Sequence, residues 1–516
     1  MDSLTRAPLD AIVHAVGHAA IVTDPAELDF FGQDVFSRGA TPLALFRPND
    51  IAALAQGVAA ATAAGVAVVP RGGGMSYTGG YLPAEAGALV VDVAGMTRIL
   101  AIDATDMTVT VEAGCTWASL YAALRPLGLR APLWGTLSGL HATVGGGMSQ
   151  NGLFWGAARG TIASSALSFD VVLADGTVLK TGNDTIRPFG PDVTGLFAAD
   201  CGAFGIKAHV TLPLIPEAAA LAYGSFAFDN PADFIQATSA IARAGLASEC
   251  FGFDPFLQAQ RMKRDSLTSD AKALVGMMKA QGGFWKGLKE GAKVVAAGRS
   301  FLDEAGFSIH TISEGRSQAS ADADLAAIVA IVQAAGGKAV ENTIPKIMRA
   351  NPFPPVNSMV GPSGERWVPT HGVVRHSRAL PTLEAIVALY EANRADMERY
   401  DIGAGYLFLT AGTTGFLIEP VFFWPDAMDT MHERAIEPAH YAKLTRFPAN
   451  PDARAVVERL RAGLVTIFGE MEAAHFQIGR SYPLKARSDP AAWALLESIK
   501  NQVDPAHLMN PGSIGL

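Results

Sequence analysis

Five glycines fall within nine residues of the run Pro70-Arg71-Gly72-Gly73-Gly74-Met75-Ser76-Tyr77-Thr78-Gly79-Gly80, directly after the apolar Val66-Ala67-Val68-Val69. Glycine lets a backbone pass close to a ligand, and converging amide N–H groups make a nest for an anion such as phosphate. The spacing fits neither common phosphate loop. A dinucleotide fingerprint needs glycine where Tyr77 stands, and no Lys-Ser or Lys-Thr follows to hold a nucleotide triphosphate. Ala88-Leu89-Val90-Val91-Asp92-Val93 reads as a strand, so the loop is expected between strands, with no helix dipole behind the phosphate.

Two other places carry groups that move protons or hold anions. Trp367-Val368-Pro369-Thr370-His371-Gly372-Val373-Val374-Arg375-His376 sets two histidines and an arginine in one short segment. A histidine can take a hydroxyl proton, and a guanidinium can hold a carboxylate through two parallel hydrogen bonds. On a strand, His371 and Arg375 face one way and His376 the other. Arg480 and Tyr482 stand close after His475, and Glu419 lies in the very apolar run Phe416 to Trp424. A carboxylate buried there needs a partner or a raised pKa. Each of these residues also reads as an ordinary packing or surface group, and a salt bridge accounts for Glu419 equally well.

The elements that position these groups follow from the pattern. Pro48-Asn49-Asp50 opens a helix from Ile51 to Ala64, which feeds the strand ending at Pro70. Met107–Glu112, Phe169–Leu173 and Thr177–Lys180 read as strands, the last two joined at Asp175-Gly176, and His209 to Leu214 as another. A second glycine segment runs from Ala142 to Gly152 and a third from Gly202 to Ile206. A chain of 516 residues implies two or three domains. Its 40 basic and 49 acidic residues argue against a nucleic-acid binder. Cys115, Cys201 and Cys250 are too far apart for a disulfide framework or a zinc cluster. The start lacks the regions of a signal peptide, and no apolar stretch of about 20 residues stands out, so a cytoplasmic protein is expected. Phe251 to Ser300 holds nine basic and four acidic residues, with Leu274, Met278, Phe284 and Trp285 among the lysines. This basic insert, about 255–300, reads either as solvated surface or as peripheral contact with a membrane face or a protein.

Together, the three glycine segments resemble the FAD-binding domain of the vanillyl-alcohol oxidase/p-cresol methylhydroxylase (PCMH) superfamily, in particular its glycolate oxidase and D-lactate dehydrogenase branch. The branch's Arg-Gly-(Gly)-Gly-Thr-Ser-Leu-x-Gly-Gly is matched by Arg71 to Gly80, and its Thr-Ile-Gly-Gly-Asn-x-Ala-Thr-Asn-Ala-Gly-Gly by Thr143 to Gly152. The third motif aligns with Gly190 through Ile206, and the closing Asn-Pro-Gly with Asn510-Pro511-Gly512. The resemblance is strong over 40–216 and 470–516 and weak between them. It implies an α+β fold. Residues 1–217 would form the two-subdomain PCMH-type FAD-binding domain, and 218–469 a substrate (cap) domain with an antiparallel sheet covered by helices. Residues 470–516 would return to the FAD domain.

The resemblance further implies that FAD is held by Pro70, Arg71, Gly72, Gly73, Gly74, Met75, Ser76, Gly79 and Gly80 around the pyrophosphate. His141, Ala142, Thr143, Gly145, Gly146, Ser149, Asn151 and Gly152 would flank the flavin, with Gly202, Gly205, Ile206 and Asn510 beside them. Some relatives carry the flavin covalently on a histidine where Met75 stands, and a thioether cannot form that bond, so noncovalent FAD is expected. His141 stays a weak alternative anchor. The branch's metal motifs map to Leu409–Pro420 and Ala474–Gly479, where only Glu419 and His475 remain as ligands, so no metal is expected. The implied activity is hydride removal from a C–H bearing a hydroxyl, most simply on a D-2-hydroxy acid. Arg480 or Arg375 would bind the carboxylate, and His371, His376 or His475 would take the proton. An aromatic or phenolic alcohol is the second reading, and a non-redox transferase that uses FAD the third. Oxygen, a quinone or a redox protein stay open as the electron acceptor, and monomer and homodimer as the assembly.

Overall fold

The computed structural model describes residues 3–262 and 306–516, so the basic segment beyond Met262 lies outside the described residues. The chain divides into two compact units. One comprises Met1–Leu153, Thr161–Glu217 and His475–Leu516, the other Phe154–Gly160 and Ala218–Ala474.

The first unit holds two sheets. In the smaller, Ala44–Phe46 and Val68–Arg71 run parallel to Leu89–Asp92 on either side of it, and Ile21–Val22 pairs antiparallel at the edge. These strands are continuous apolar runs because helices and loops cover both faces. Helix Ile51–Ala63 starts where the Asp50 carboxylate accepts from Ala53 N at 2.8 Å. It buries Leu54, Val58 and Ala61 against Phe46, Val68 and Leu89. The larger sheet is antiparallel, in the order Ile99–Asp103, Thr108–Glu112, Ile206–Pro213, Ser168–Val172 and Val178–Lys180.

The second unit is built on an eight-stranded sheet, every pair in it antiparallel. Helices Pro231–Ala244, Gln318–Ala334, Ala379–Ala392 and Pro451–Glu470 pack on it. Phe234 from the first of these meets Phe408, with ring centroids 4.8 Å apart, and Tyr390 from the third meets Phe422 at 5.7 Å. The α+β class, with a helix-covered antiparallel sheet, is therefore what the structure shows.

Candidate functional site

The glycine loop leaves strand Val68–Arg71 and ends before Leu89–Asp92, between two strands. The N–H groups of Gly72, Gly73, Gly74, Met75 and Ser76 donate to no acceptor among the described residues. Such a row of open donors is what an anion nest requires, because a buried N–H without a partner is costly. A Cβ on Gly73 would overlap the His141 carbonyl oxygen, and one on Gly72 would lie 2.5 Å from Thr143 Oγ1. The first two glycine segments are thus packed backbone to backbone. The open main-chain donors fit a pyrophosphate.

The side chains around the loop shape it. Arg71 is buried, and its Nη1 donates to the carbonyls of Phe31 (3.1 Å) and Gln33 (3.0 Å). Its guanidinium also stacks on Phe30, Phe31 and Tyr81. Its charge is therefore spent on residues 30–33, and only its backbone stays with the cofactor loop. The Tyr81 hydroxyl donates to Gly74 O (2.6 Å) and lies 3.0 Å from Ser76 O, and Asp34 Oδ2 accepts from Gly79 N at 2.8 Å. Gly79 N is consequently not one of the nest donors. Sequence reasoning missed Asp34 and Tyr81, since neither belongs to a glycine motif.

The second segment forms the short helix Val144–Gln150, capped by Thr143 Oγ1 on Gly146 N at 3.1 Å. Gly145 approaches Ala113 so closely that a Cβ would lie 2.5 Å from that residue's methyl. Asn151 ends the helix in the left-handed region, and its Oδ1 accepts from Ala163 N at 3.0 Å. In the third segment Cys201 N donates to Ser149 O (2.9 Å), and a Cβ on Gly205 would crowd Val171. Asp200 takes Gly202 N and the buried Lys207 ammonium, at 2.9 and 2.6 Å. Ile206 then opens the central strand of the larger sheet. Ala142 O receives Trp117 N, and Gly152 N returns to Gly147 O. Burial lowers the pKa of His141, favouring a neutral ring. Among the described residues, Asn151, Ala199, Cys201, Gln477, Asn510 and Ile514 have positive φ, six of the ten non-glycine residues that do. Three of these lie in the second and third motifs and three in the closing stretch 475–516, so strained backbone gathers where sites are commonly built.

Of the other candidates in this unit, His475 stacks on Tyr482 with ring centroids 3.9 Å apart, and its Nε2 lies 2.8 Å from Arg487 Nη1. That nitrogen accepts, which calls for a neutral ring. Arg480 turns onto the glycine loop, donating to Gly79 O, Asn510 Oδ1 (3.2 Å) and Pro511 O (2.7 Å).

In the second unit, Arg366–Pro369 and Gly372–Arg375 both pair with Gly415–Trp424 in one register, bridged by Thr370 N to Pro420 O at 2.9 Å. That register sets His371 directly opposite Glu419 in a close, non-hydrogen-bonded position of the ladder. His371 is fully buried and Glu419 is 8% exposed. Gly372 lies against Phe468 of helix Pro451–Glu470, so His371 is on the opposite face from that helix. Glu419 shares its face with Leu417 and Val421 and stands beside Leu407 of the next strand. Arg375 follows on His371's face but ends exposed, 3.4 Å from Glu472. His376 leaves the strand, and its Nε2 lies 3.0 Å from Thr413 O. Arg461, absent from the sequence reading, places Nε 3.3 Å from Thr370 Oγ1. The register therefore sets His371 opposite Glu419, the hydrogen bonds join Arg480 with Asn510, and Arg375 and His376 lie away from the buried residues. Among the described residues no group of three His, Cys, Asp or Glu side chains is placed to hold a metal ion. No helix among them is long and apolar enough to cross a membrane.

The fold is of the PCMH type, and its glycine loop suits the pyrophosphate of FAD. Residues 42–182 match the FAD binding domain family, and residues 478–514 the C-terminal domain of FAD linked oxidases. The chain carries both segments, and FAD is its cofactor. Glycolate oxidase subunit GlcD of Bacillus subtilis is 30% identical over 194 residues, 36% of this chain and 41% of that protein. D-2-hydroxyglutarate dehydrogenase of Xanthomonas citri pv. viticola is 30% identical over 211 residues, 40% of this chain and 43% of its own. The mitochondrial D-lactate dehydrogenase (cytochrome) 1 of Saccharomyces cerevisiae is 30% identical over 183 residues, 35% and 31% of the two chains. The matched stretch thus spans less than half of each of these relatives. Among solved structures, p-cresol methylhydroxylase shares the fold at a TM-score of 0.75 and 14% identity, covering 100% of this chain and 98% of its own. Alkyldihydroxyacetonephosphate synthase does so at 0.70 and 15%, covering 98% and 85%.

Proposed function

We propose that this protein is an FAD-dependent oxidoreductase that oxidises a D-2-hydroxy acid at the carbon bearing the hydroxyl. The observation that carries the reading is the FAD-binding stretch itself, whose relatives are named for glycolate, D-lactate and D-2-hydroxyglutarate. Bound FAD supplies the hydride acceptor, held noncovalently because Met75 offers no bond to it. Residues 218–469 form the substrate domain in this reading.

Within it, a ring nitrogen of His371 takes the hydroxyl proton of the substrate, and Glu419 across the ladder orients the ring and offsets the charge it gains. Burial strengthens that attraction, since little water screens the pair. Apart from His371, the neighbours of Glu419 on its face, Leu417, Val421 and Leu407, are apolar, which favours a second reading with an aromatic alcohol.

Anaerobic mixing of the holoenzyme with glycolate, D-lactate, D-2-hydroxyglutarate and a 4-hydroxybenzyl alcohol tests this directly. Bleaching of the flavin absorbance by a hydroxy acid supports the proposal. Bleaching by the aromatic alcohol alone transfers it to the second reading, and a flavin reduced by none overturns both.

A further inference from the structure

The geometry points to Arg480 and Asn510 as a clasp that positions the cofactor loop, and not as groups that touch substrate. Asn510 is fully buried with φ 44°, and its Nδ2 donates to Gly80 O at 2.7 Å and Cys201 O at 2.6 Å. Its Oδ1 accepts from Arg480 Nη2. Both N–H groups of the carboxamide are used, so it has no donor left for a ligand. One side chain thereby joins the first glycine segment, the third and the arginine.

Arg480 completes the clasp. Its Nη1 holds Gly79 O, its Nη2 holds Pro511 O, and its own N–H donates to Thr78 O at 2.8 Å. Asn510 N donates to Val68 O and Ile514 N to Gly479 O, each at 2.8 Å, so the main chain repeats the attachment. In a planar trans peptide the N–H points opposite to the C=O. Holding the carbonyls of Thr78, Gly79 and Gly80 on one side, with Gly79 N held by Asp34 on the other, therefore pins the arm of the loop that follows the open donors at residues 72–76. Among the described residues the guanidinium pairs with no carboxylate, and burial lowers its pKa. Carbonyl dipoles alone answer its charge, an arrangement suited to a structural brace. A substrate-binding arginine would keep its fork open toward the ligand.

The inference rests on FAD binding and is independent of which substrate is oxidised. Its test is titration of apoprotein with FAD, followed by quenching of flavin fluorescence with no substrate present. Asn510→Asp keeps the shape and tolerates the left-handed backbone but loses both donors. Arg480→Lys keeps the charge but loses the fork. Each is expected to weaken FAD binding by about 10- to 100-fold. At saturating FAD, KM for the substrate stays at its wild-type value. If circular dichroism shows the Asn510→Asp apoprotein unfolded, Arg480→Lys decides alone. Wild-type FAD affinity in the folded variants overturns the clasp. So does a raised KM in Arg480→Lys with FAD affinity unchanged, which assigns the arginine to substrate.

Discussion

The loop 70–80 and the strand 366–375 are both rich in groups able to do chemistry, yet they place that chemistry on opposite parts of the chain. In the loop the open groups are main-chain N–H, and the nearby side chains of Arg71, Tyr81 and Asp34 are braces. In the strand the main chain is consumed by the ladder, and side chains carry whatever chemistry there is. A backbone site depends on the groups that brace it and admits no Cβ at its tightest approach. A side-chain site tolerates changes in its backbone neighbours but not in its one pair of facing residues.

Three substitutions probe this contrast, the largest effect first. His371→Asn removes the proposed base from the strand, and anaerobic stopped-flow should show flavin reduction slowed by about 10²- to 10⁴-fold with FAD content unchanged. Arg375→Ala, on the same strand but exposed, should alter that rate by less than about twofold, since a solvated ion pair such as that with Glu472 contributes little. Equal losses in both would dissolve the distinction between the buried pair and the strand's exposed end. In the loop, Gly73→Ala forces a methyl onto the His141 carbonyl and should lower FAD affinity about 100-fold, read as the flavin-to-protein ratio after gel filtration. Full retention of FAD would show that the backbone contact between the two glycine segments is dispensable.

A fourth prediction concerns stability in the second unit. Asp254 accepts from Tyr406 N at 2.7 Å and Leu257 N at 3.1 Å, yet burial pushes its pKa up to about 6. The folded state then holds a proton that the unfolded chain has already released. The stability it contributes is greatest below about pH 4 and is lost as pH rises to about 6, by at most about 3 kcal/mol. Asp254→Asn should flatten that part of the pH dependence of the urea midpoint. An unchanged slope would show that the carboxylate ionises in the folded state as it does in solvent.

Arg480 shows where the sequence reading stopped. Its neighbours in the chain, His475 and Tyr482, made it look like part of a substrate site. Its donors instead reach Gly79, Asn510 and Pro511, contacts separated by up to 401 positions in sequence. Local composition cannot show which way a long side chain turns, because the partners that capture it come from elsewhere in the chain. The pairing of His371 with Glu419 was hidden for the same reason. Each residue stood out alone, but only the register of two strands puts them face to face.

By itself the sequence determined the cofactor, since binding a pyrophosphate through main chain demands glycine at set spacings and glycine cannot be mistaken for another residue. It also determined the α+β class, through runs and alternations that only strands and helices can bury. Tertiary structure alone decided the roles of the charged side chains. A guanidinium or carboxylate has the same chemistry everywhere, and burial and the atoms within about 3 Å decide whether it braces the fold or meets a ligand.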